Sequence, residues 1–282
     1  MFTQSILDYL GCPTCGGAPL SLEASREQAG TIMEGSLRCT ATHRFPIHSG
    51  VPILIDQSTM IGDEWKLWQE HLNGFQKRRE RREREKIQIT SKLGRASIQQ
   101  HHFSTFTGIQ AGRLLDVGCG PGKFRYCFDQ HRVEYVGLDP IVLPDTDDFP
   151  FIAGLAEYLP FKTASFTDVT VLAALDHFKD KPAFFSEVRR VLVPGGRFHL
   201  LQSIHEANGL KGTLKYLAHE TKDYIESRLG EANPEGVPPH MTEFGGNDLA
   251  ALLRQFFTLD KEQRYEARLL APTRMFISMR AA

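Results

Sequence analysis

Short apolar runs and helix-period stretches alternate from Gly112 onward. Arg113–Val117 (RLLDV) is apolar and runs into glycines, the pattern of a buried parallel strand. Phe124–His131 is expected to be a helix, and Glu134–Leu138, Phe149–Gly154 and Asp168–Leu172 the next three strands. Phe184, Phe185, Val188, Val191 and Leu192 fall at helical spacing within Pro182–Leu192. A Pro194-Gly195-Gly196 turn then leads into a fifth strand, Arg197–Leu201. A helix at Asn247–Phe256 precedes two strand candidates, Thr258–Tyr265 and Arg274–Met279, which fit an antiparallel edge hairpin. This succession predicts an α/β, Rossmann-like, mostly parallel sheet of seven strands with helices on both faces.

The preceding chain divides in two. Residues 1–56 are rich in Gly and Cys with short β-prone runs, and 57–111 are polar, charged and helical in pattern. Trp65, Leu67, Trp68, Leu72 and Phe75 mark one apolar face there, either packed on the main domain or part of a substrate lid. The expected domains are therefore a small unit at 1–56, a helical linker or lid at 57–111 and the α/β domain at 112–282. A net charge of −1 supplies no global attraction to nucleic acid or membrane. No apolar run approaches the roughly 20 residues that span a bilayer. The N-terminus MFTQSILDYLGCP lacks the features of a secretory leader. The odd cysteine count of five argues against a disulfide framework, so the expected location is the cytoplasm.

Chemistry concentrates first at Leu114–Gly122 (LLDVGCGPG). In such sheets ligands bind beyond the carboxyl ends of the strands, and glycines let backbone approach them. Asp139 closes the second strand, where a carboxylate can accept both hydroxyls of a ribose. The spacing is GxGxG with Pro121 inside it, not the GxGxxG that cradles a pyrophosphate. Asp116 stands just before the loop, and its charge suits the cationic side of S-adenosylmethionine.

On these residues the chain resembles the class I S-adenosylmethionine-dependent methyltransferases, in particular the type-11 group. Gly154–Phe161 (GLAEYLPF) is similar to the family's GDAExLPF stretch along the adenine, and Thr167–Val169 to its FDxV strand entry. Leu175–Asp180 (LDHFKD) is similar to LEHVPD, and Glu187–Phe198 (EVRRVLVPGGRF) to ExxRVLKPGG. The resemblance covers roughly residues 112–201. It implies cofactor contacts from Asp116, Gly118, Gly120, Gly122, Asp139, Ala156, Glu157 and Ala173. Leu155 departs from the pattern, because the family commonly has an acid there that binds the adenine amino group. The exit of the fourth strand is also about one residue short.

Cys12-Pro13-Thr14-Cys15 is a C-x₂-C knuckle, and Cys39–His43 supplies C-x₃-H. Four such ligands on two turns suit a closed, structural tetrahedral Zn²⁺ site. A ribbon that has lost its metal is the competing reading, and His48 is an alternative ligand. Cys39–Ile55 resembles the zinc-ribbon proteins that partner methyltransferases. The order of ribbon then methyltransferase resembles the ribosomal RNA guanine-N1 methyltransferases.

Lys77–Lys86 (KRRERREREK) carries a local charge of +4, but its interspersed glutamates favour a solvated helix face over a phosphate-binding one. No Asn-Pro-Pro-Tyr motif follows the fourth strand, and no cysteine is placed to attack a pyrimidine. His177, His205, His240 and, more weakly, Asp176 are candidate bases, and no catalytic residue is assigned. The insert Glu206–Glu243, with Tyr216, Tyr224 and Met241, is where an acceptor pocket is expected. The favoured reading is methyl transfer to a small-molecule acceptor. The alternatives are a ribosomal or transfer RNA base methyltransferase and a non-catalytic binding subunit.

Overall fold

A computed structural model describes residues 2–63, 65–70, 72–74, 76–77, 96–142, 148–204, 244–265 and 273–281. The α/β sheet is built from β6 (Gly112–Val117), β7 (Val133–Asp139), β8 (Phe151–Gly154), β9 (Phe166–Leu172), β10 (Leu192–Ile204), β11 (Phe257–Tyr265) and β12 (Thr273–Ala281). These seven lie in the order β8-β7-β6-β9-β10-β12-β11. The first five are parallel, and β12 runs antiparallel to both β10 and β11. The tail hairpin therefore closes one edge, as the apolar pattern suggests.

The expected count of seven strands is corrected at the other edge. The N-terminal strands are β1 (Gly11–Cys12), β2 (Ala18–Gln28), β3 (Thr31–Cys39), β4 (Arg44–His48) and β5 (Val51–Leu54). The last of these pairs in parallel with β8, Ile53 opposite Ala153 and Leu54 opposite Gly154. Among the described residues the result is one sheet of twelve strands. The physical reason is that the four-residue β8 would otherwise leave its ladder groups unpaired at an edge. β5 (VPIL) is apolar enough to be covered on both faces.

Two cores flank the sheet. On one face, α2 (Lys181–Val191) and α3 (Gly246–Arg254) bury Phe184, Phe185, Val188, Leu249 and Leu253. Phe2, Ile6, Tyr9 and Leu10 join this same core, so the N-terminal residues pack on the α/β sheet. On the other face, α1 (Ile98–Thr107) packs Phe103 against Phe124 and Phe276. Ser97 caps this helix through a reciprocal pair with Gln100, and Gly108 ends it in the left-handed conformation.

The helix expected at Phe124–His131 is instead a single 3₁₀ turn, Lys123–Cys127. Arg125 is buried and donates to the carbonyl oxygens of Pro121 and Gly122, which ties the turn back onto the glycine loop. Asp129 then accepts from the His131 N–H, and its carbonyl accepts from Val133, so a local turn replaces further helix.

Candidate functional site

The carboxyl ends of β6, β7 and β9 open into a cleft of about 250 Å³. Six of the eight expected contact residues line it: Gly118, Gly120, Asp139, Ala156, Glu157 and Ala173. The loop is held from below by β7. The N–H groups of Gly118 and Cys119 donate to the Leu138 carbonyl at 2.8 and 3.2 Å. The Gly120 N–H donates to Asp139 Oδ2 at 2.9 Å, and the Ile141 N–H to its Oδ1 at 2.9 Å. Asp139 thus fixes the loop while its carboxylate faces the cleft.

Gly118 has φ +71°, and a Cβ there would lie 2.5 Å from the Ala174 Cβ. The strand-four exit therefore crowds the loop so closely that only glycine fits. Ala173 itself adopts φ +52°, a conformation that costs a non-glycine residue about 1 kcal/mol or more. Its N–H donates to the Leu201 carbonyl at 2.7 Å, which anchors the tight exit that the sequence shows as one residue short.

Two expected contacts do not line the cleft. Gly122 turns away, and a Cβ there would enter the ring of Phe149. Asp116 is 2% exposed beneath the loop, accepting from Tyr135 Oη at 2.5 Å and Thr170 Oγ1 at 3.0 Å. Burial, opposed by those two hydrogen bonds, pushes its carboxyl up to about 7. Strand alternation points the Asp116 side chain into the interior, away from the cleft where the sequence predicts a ligand-facing charge.

Glu157 is buried, and burial raises its pKa. Its Oε1 accepts from the N–H groups of Lys179 and Asp180 at 2.6 and 3.2 Å, holding the turn before α2.

Residues outside the expected set complete the walls. Trp68 and Leu72, from the helical residues between 63 and 77, lie over Leu155. Trp65 and Trp68 meet edge to face at 5.2 Å, and Trp65 stacks on Tyr158. The Trp68 indole N–H donates to the His177 carbonyl at 2.9 Å, linking this helix to the opposite wall. The sequence signal was the Trp65/Trp68/Leu72 spacing; Leu67, grouped with it, is exposed instead. Of the candidate bases, His177 lines the cleft, and its Nε2 lies 3.9 Å from Oδ2 of buried Asp176. His205, His240, the insert at 206–243, Phe75 and residues 78–86 fall outside the described residues.

Comparison with known proteins agrees with this geometry. Residues 115–200 match the family model described as a methyltransferase domain. An uncharacterized methyltransferase of Mycobacterium bovis is 32% identical over 117 residues, covering 38% of this chain and 46% of that protein. Demethylmenaquinone methyltransferase of Deinococcus radiodurans is 34% identical over 116 residues, covering 36% and 47%. The chain thus spans just under half the length of these curated relatives. A solved structure of Burkholderia thailandensis 1,6-didemethyltoxoflavin-N1-methyltransferase covers 92% of this chain and 99% of its own at 14% identity, with a TM-score of 0.55. That likeness shows the α/β methyltransferase fold.

Beside this α/β domain, Cys12, Cys15, Cys39 and His43 converge, with all four ligand atoms within 4.8 Å of one another. His43 Nδ1 lies 3.3 Å from the sulfurs of Cys15 and Cys39 and 3.7 Å from that of Cys12, and Cys15 and Cys39 are 4.0 Å apart. Bond lengths of about 2.0–2.3 Å in a tetrahedral zinc site give edges of roughly 3.5–3.8 Å, so the cluster has the right size. Backbone N–H groups of Thr14 and Cys15 point at the Cys12 sulfur, and those of Ala41 and His43 at Cys39. Burial pushes the Cys12 thiol up to about 12. At Cys39 burial is outweighed by the His43 hydrogen bonds, which bring it down to about 7. The knuckle is docked on the α/β domain: Gly11 N–H donates to the Pro160 carbonyl at 3.0 Å, and Lys162 N–H to the Tyr9 carbonyl at 2.8 Å. No helix among the described residues is long and apolar enough to cross a membrane.

Proposed function

We propose that this protein moves a methyl group from S-adenosylmethionine to a small-molecule acceptor. The observation that carries this reading is the glycine loop pinned to Asp139 at the mouth of the cleft. Asp139 would receive the ribose hydroxyls, backbone at Gly118 and Gly120 would flank the methionine and ribose, and Ile141, Leu155 and Ala156 would enclose the adenine. Ala173 would meet the methionine end. Leu155, Trp68 and Leu72 make the base pocket apolar, so shape and the Ala156 backbone replace the usual acid. When bound, the cofactor supplies an electrophilic methyl group on a sulfonium.

The chain's own task is alignment and exclusion of water. Trp68 and Leu72 cover the cleft from one side, and Phe178 and Ala174 form the other. His177 is the described base candidate at the cleft, to accept a proton where the acceptor carries one. Glu157 is occupied by backbone donors and serves to hold the wall. The Cys₃His cluster would bind structural zinc, since its four positions are filled by protein and leave none open for catalysis.

A small acceptor is favoured by the near-neutral chain and the apolar cleft. Titration calorimetry with S-adenosylhomocysteine tests the donor site, with binding expected and its absence sinking the proposal. A salt-titrated RNA-binding assay tests the acceptor class. A steep salt slope would replace the small acceptor with RNA.

A further inference from the structure

Arg274 lies at the carboxyl end of the sheet and has no assigned role. Register places Ser203, Arg274 and Tyr265 in one row across β10, β12 and β11. Directly opposed residues of antiparallel strands project from the same face, so all three side chains share one surface. The row stands two residues beyond the level of Leu201, whose carbonyl holds Ala173 at the cleft. Two strand spacings, about 10 Å, separate it from β9. Below the row, Tyr265 stacks on Phe276 and meets the His102 ring edge to face.

The guanidinium here is under-used. Arg274 is half-buried, and among the described residues it makes one hydrogen bond, to the Ser203 hydroxyl. No carboxylate among the described residues ion-pairs with it; Asp176 acts on it only through its field. Burial pulls its pKa below the usual arginine value, the sign of a cation short of compensation. A half-buried guanidinium that uses only part of its fork among the described residues favours an oxyanion that its planar fork can grip.

We propose that Arg274, beside the Ser203 hydroxyl and in register with Tyr265, grips an oxyanion on the methyl acceptor, so that acceptors carry a carboxylate or a phosphate. This rests on the methyl-transfer reading above. Arg274 thereby sets specificity, and the reacting atom sits between its grip and the cleft.

The test uses the full chain saturated with S-adenosylhomocysteine and four probes: benzoate, phenyl phosphate, and their neutral counterparts benzamide and benzyl alcohol. At least one anion should bind by calorimetry while its neutral counterpart binds about tenfold or more weakly. Which anion binds tells carboxylate from phosphate. Arg274→Gln should abolish that preference and leave affinity for S-adenosylhomocysteine unchanged, which also shows that the variant is folded. Arg274→Lys should retain part of it, because charge survives but the fork does not. Equal binding of charged and neutral probes, no binding of any probe, or an undiminished preference in Arg274→Gln each overturn the inference. Failure of the wild-type chain to bind S-adenosylhomocysteine instead overturns the methyl-transfer reading itself.

Discussion

Asp116→Asn separates a ligand-facing charge from a buried carboxyl. The substitution keeps size and shape. Tyr135 can still donate to the amide oxygen, and the new amide N–H can donate to Thr170, whose hydroxyl turns to the Leu115 carbonyl 3.4 Å away. What changes is titration. The native carboxyl titrates at about 7 against 3.8 in the unfolded chain, raised chiefly by burial. Between those values the folded protein holds a proton that the unfolded chain has released. Native stability from this group is therefore fully present below pH 3.8 and is lost as pH rises toward 7. From pH 5.5 to pH 7.5 the loss covers about 1.5 units at about 1.4 kcal/mol each, or roughly 2 kcal/mol. Asparagine has no such term. Urea unfolding of both proteins at the two pH values should show the variant gaining about 2 kcal/mol on the wild type at the higher pH. Affinity for S-adenosylhomocysteine should change by less than about threefold, since a site that loses no contact loses little binding energy. A stability difference independent of pH, together with a large loss of affinity, would refute the buried assignment and restore Asp116 to the ligand.

The remaining predictions concern the cleft and the cluster. Asp139→Ala should weaken S-adenosylhomocysteine binding by about 1.5–3 kcal/mol, the range for a hydrogen bond to a charged group; unchanged affinity in calorimetry would refute the ribose role. Gly118→Ala forces a Cβ to 2.5 Å from Ala174 at φ +71°, and should cost about 1–3 kcal/mol in thermal or urea unfolding; an unaltered midpoint would show that the strand exit yields freely. Metal analysis should find about one zinc per chain, with chelation lowering the melting temperature; a metal-free protein of equal stability would refute the zinc site. Leu155→Asp would place a carboxylate at a 3% exposed position beneath Trp65 and Trp68, and should cost about 2 kcal/mol or more; equal stability with tighter cofactor binding would show that the tryptophans move aside.

What the sequence made legible was what local chemistry decides. The strands β6, β7 and β9 follow from their apolar runs, and the loop from its glycines, because each needs only neighbours in the chain. The burial of Asp116 was hidden because its charge outweighed its parity. Leu115 and Val117 face the α2 side, while Leu114 and Asp116 face the α1 side, where Tyr135 waits. The union of the small N-terminal sheet with the main one was hidden, because Ile53 opposite Ala153 is a pairing across a hundred residues that no local pattern encodes. Arg274 was invisible for the same reason, since only register brings it beside Ser203.

Leu155 shows how such distant pairings explain a local departure. By family pattern it lacks the acid that would hold an adenine amino group. In the fold it forms a small core with Trp65 and Trp68, which arrive from a helix nearly a hundred residues earlier in the chain. A carboxylate at that place would be stripped of water by the two indoles. On the proposed methyl-transfer reading, an acid at position 155 and a tryptophan cover over it would be alternative ways to hold the adenine. This chain takes the cover and binds it to the far wall through the Trp68 indole and the His177 carbonyl. The substitution that weakens the resemblance is the one that the cover requires.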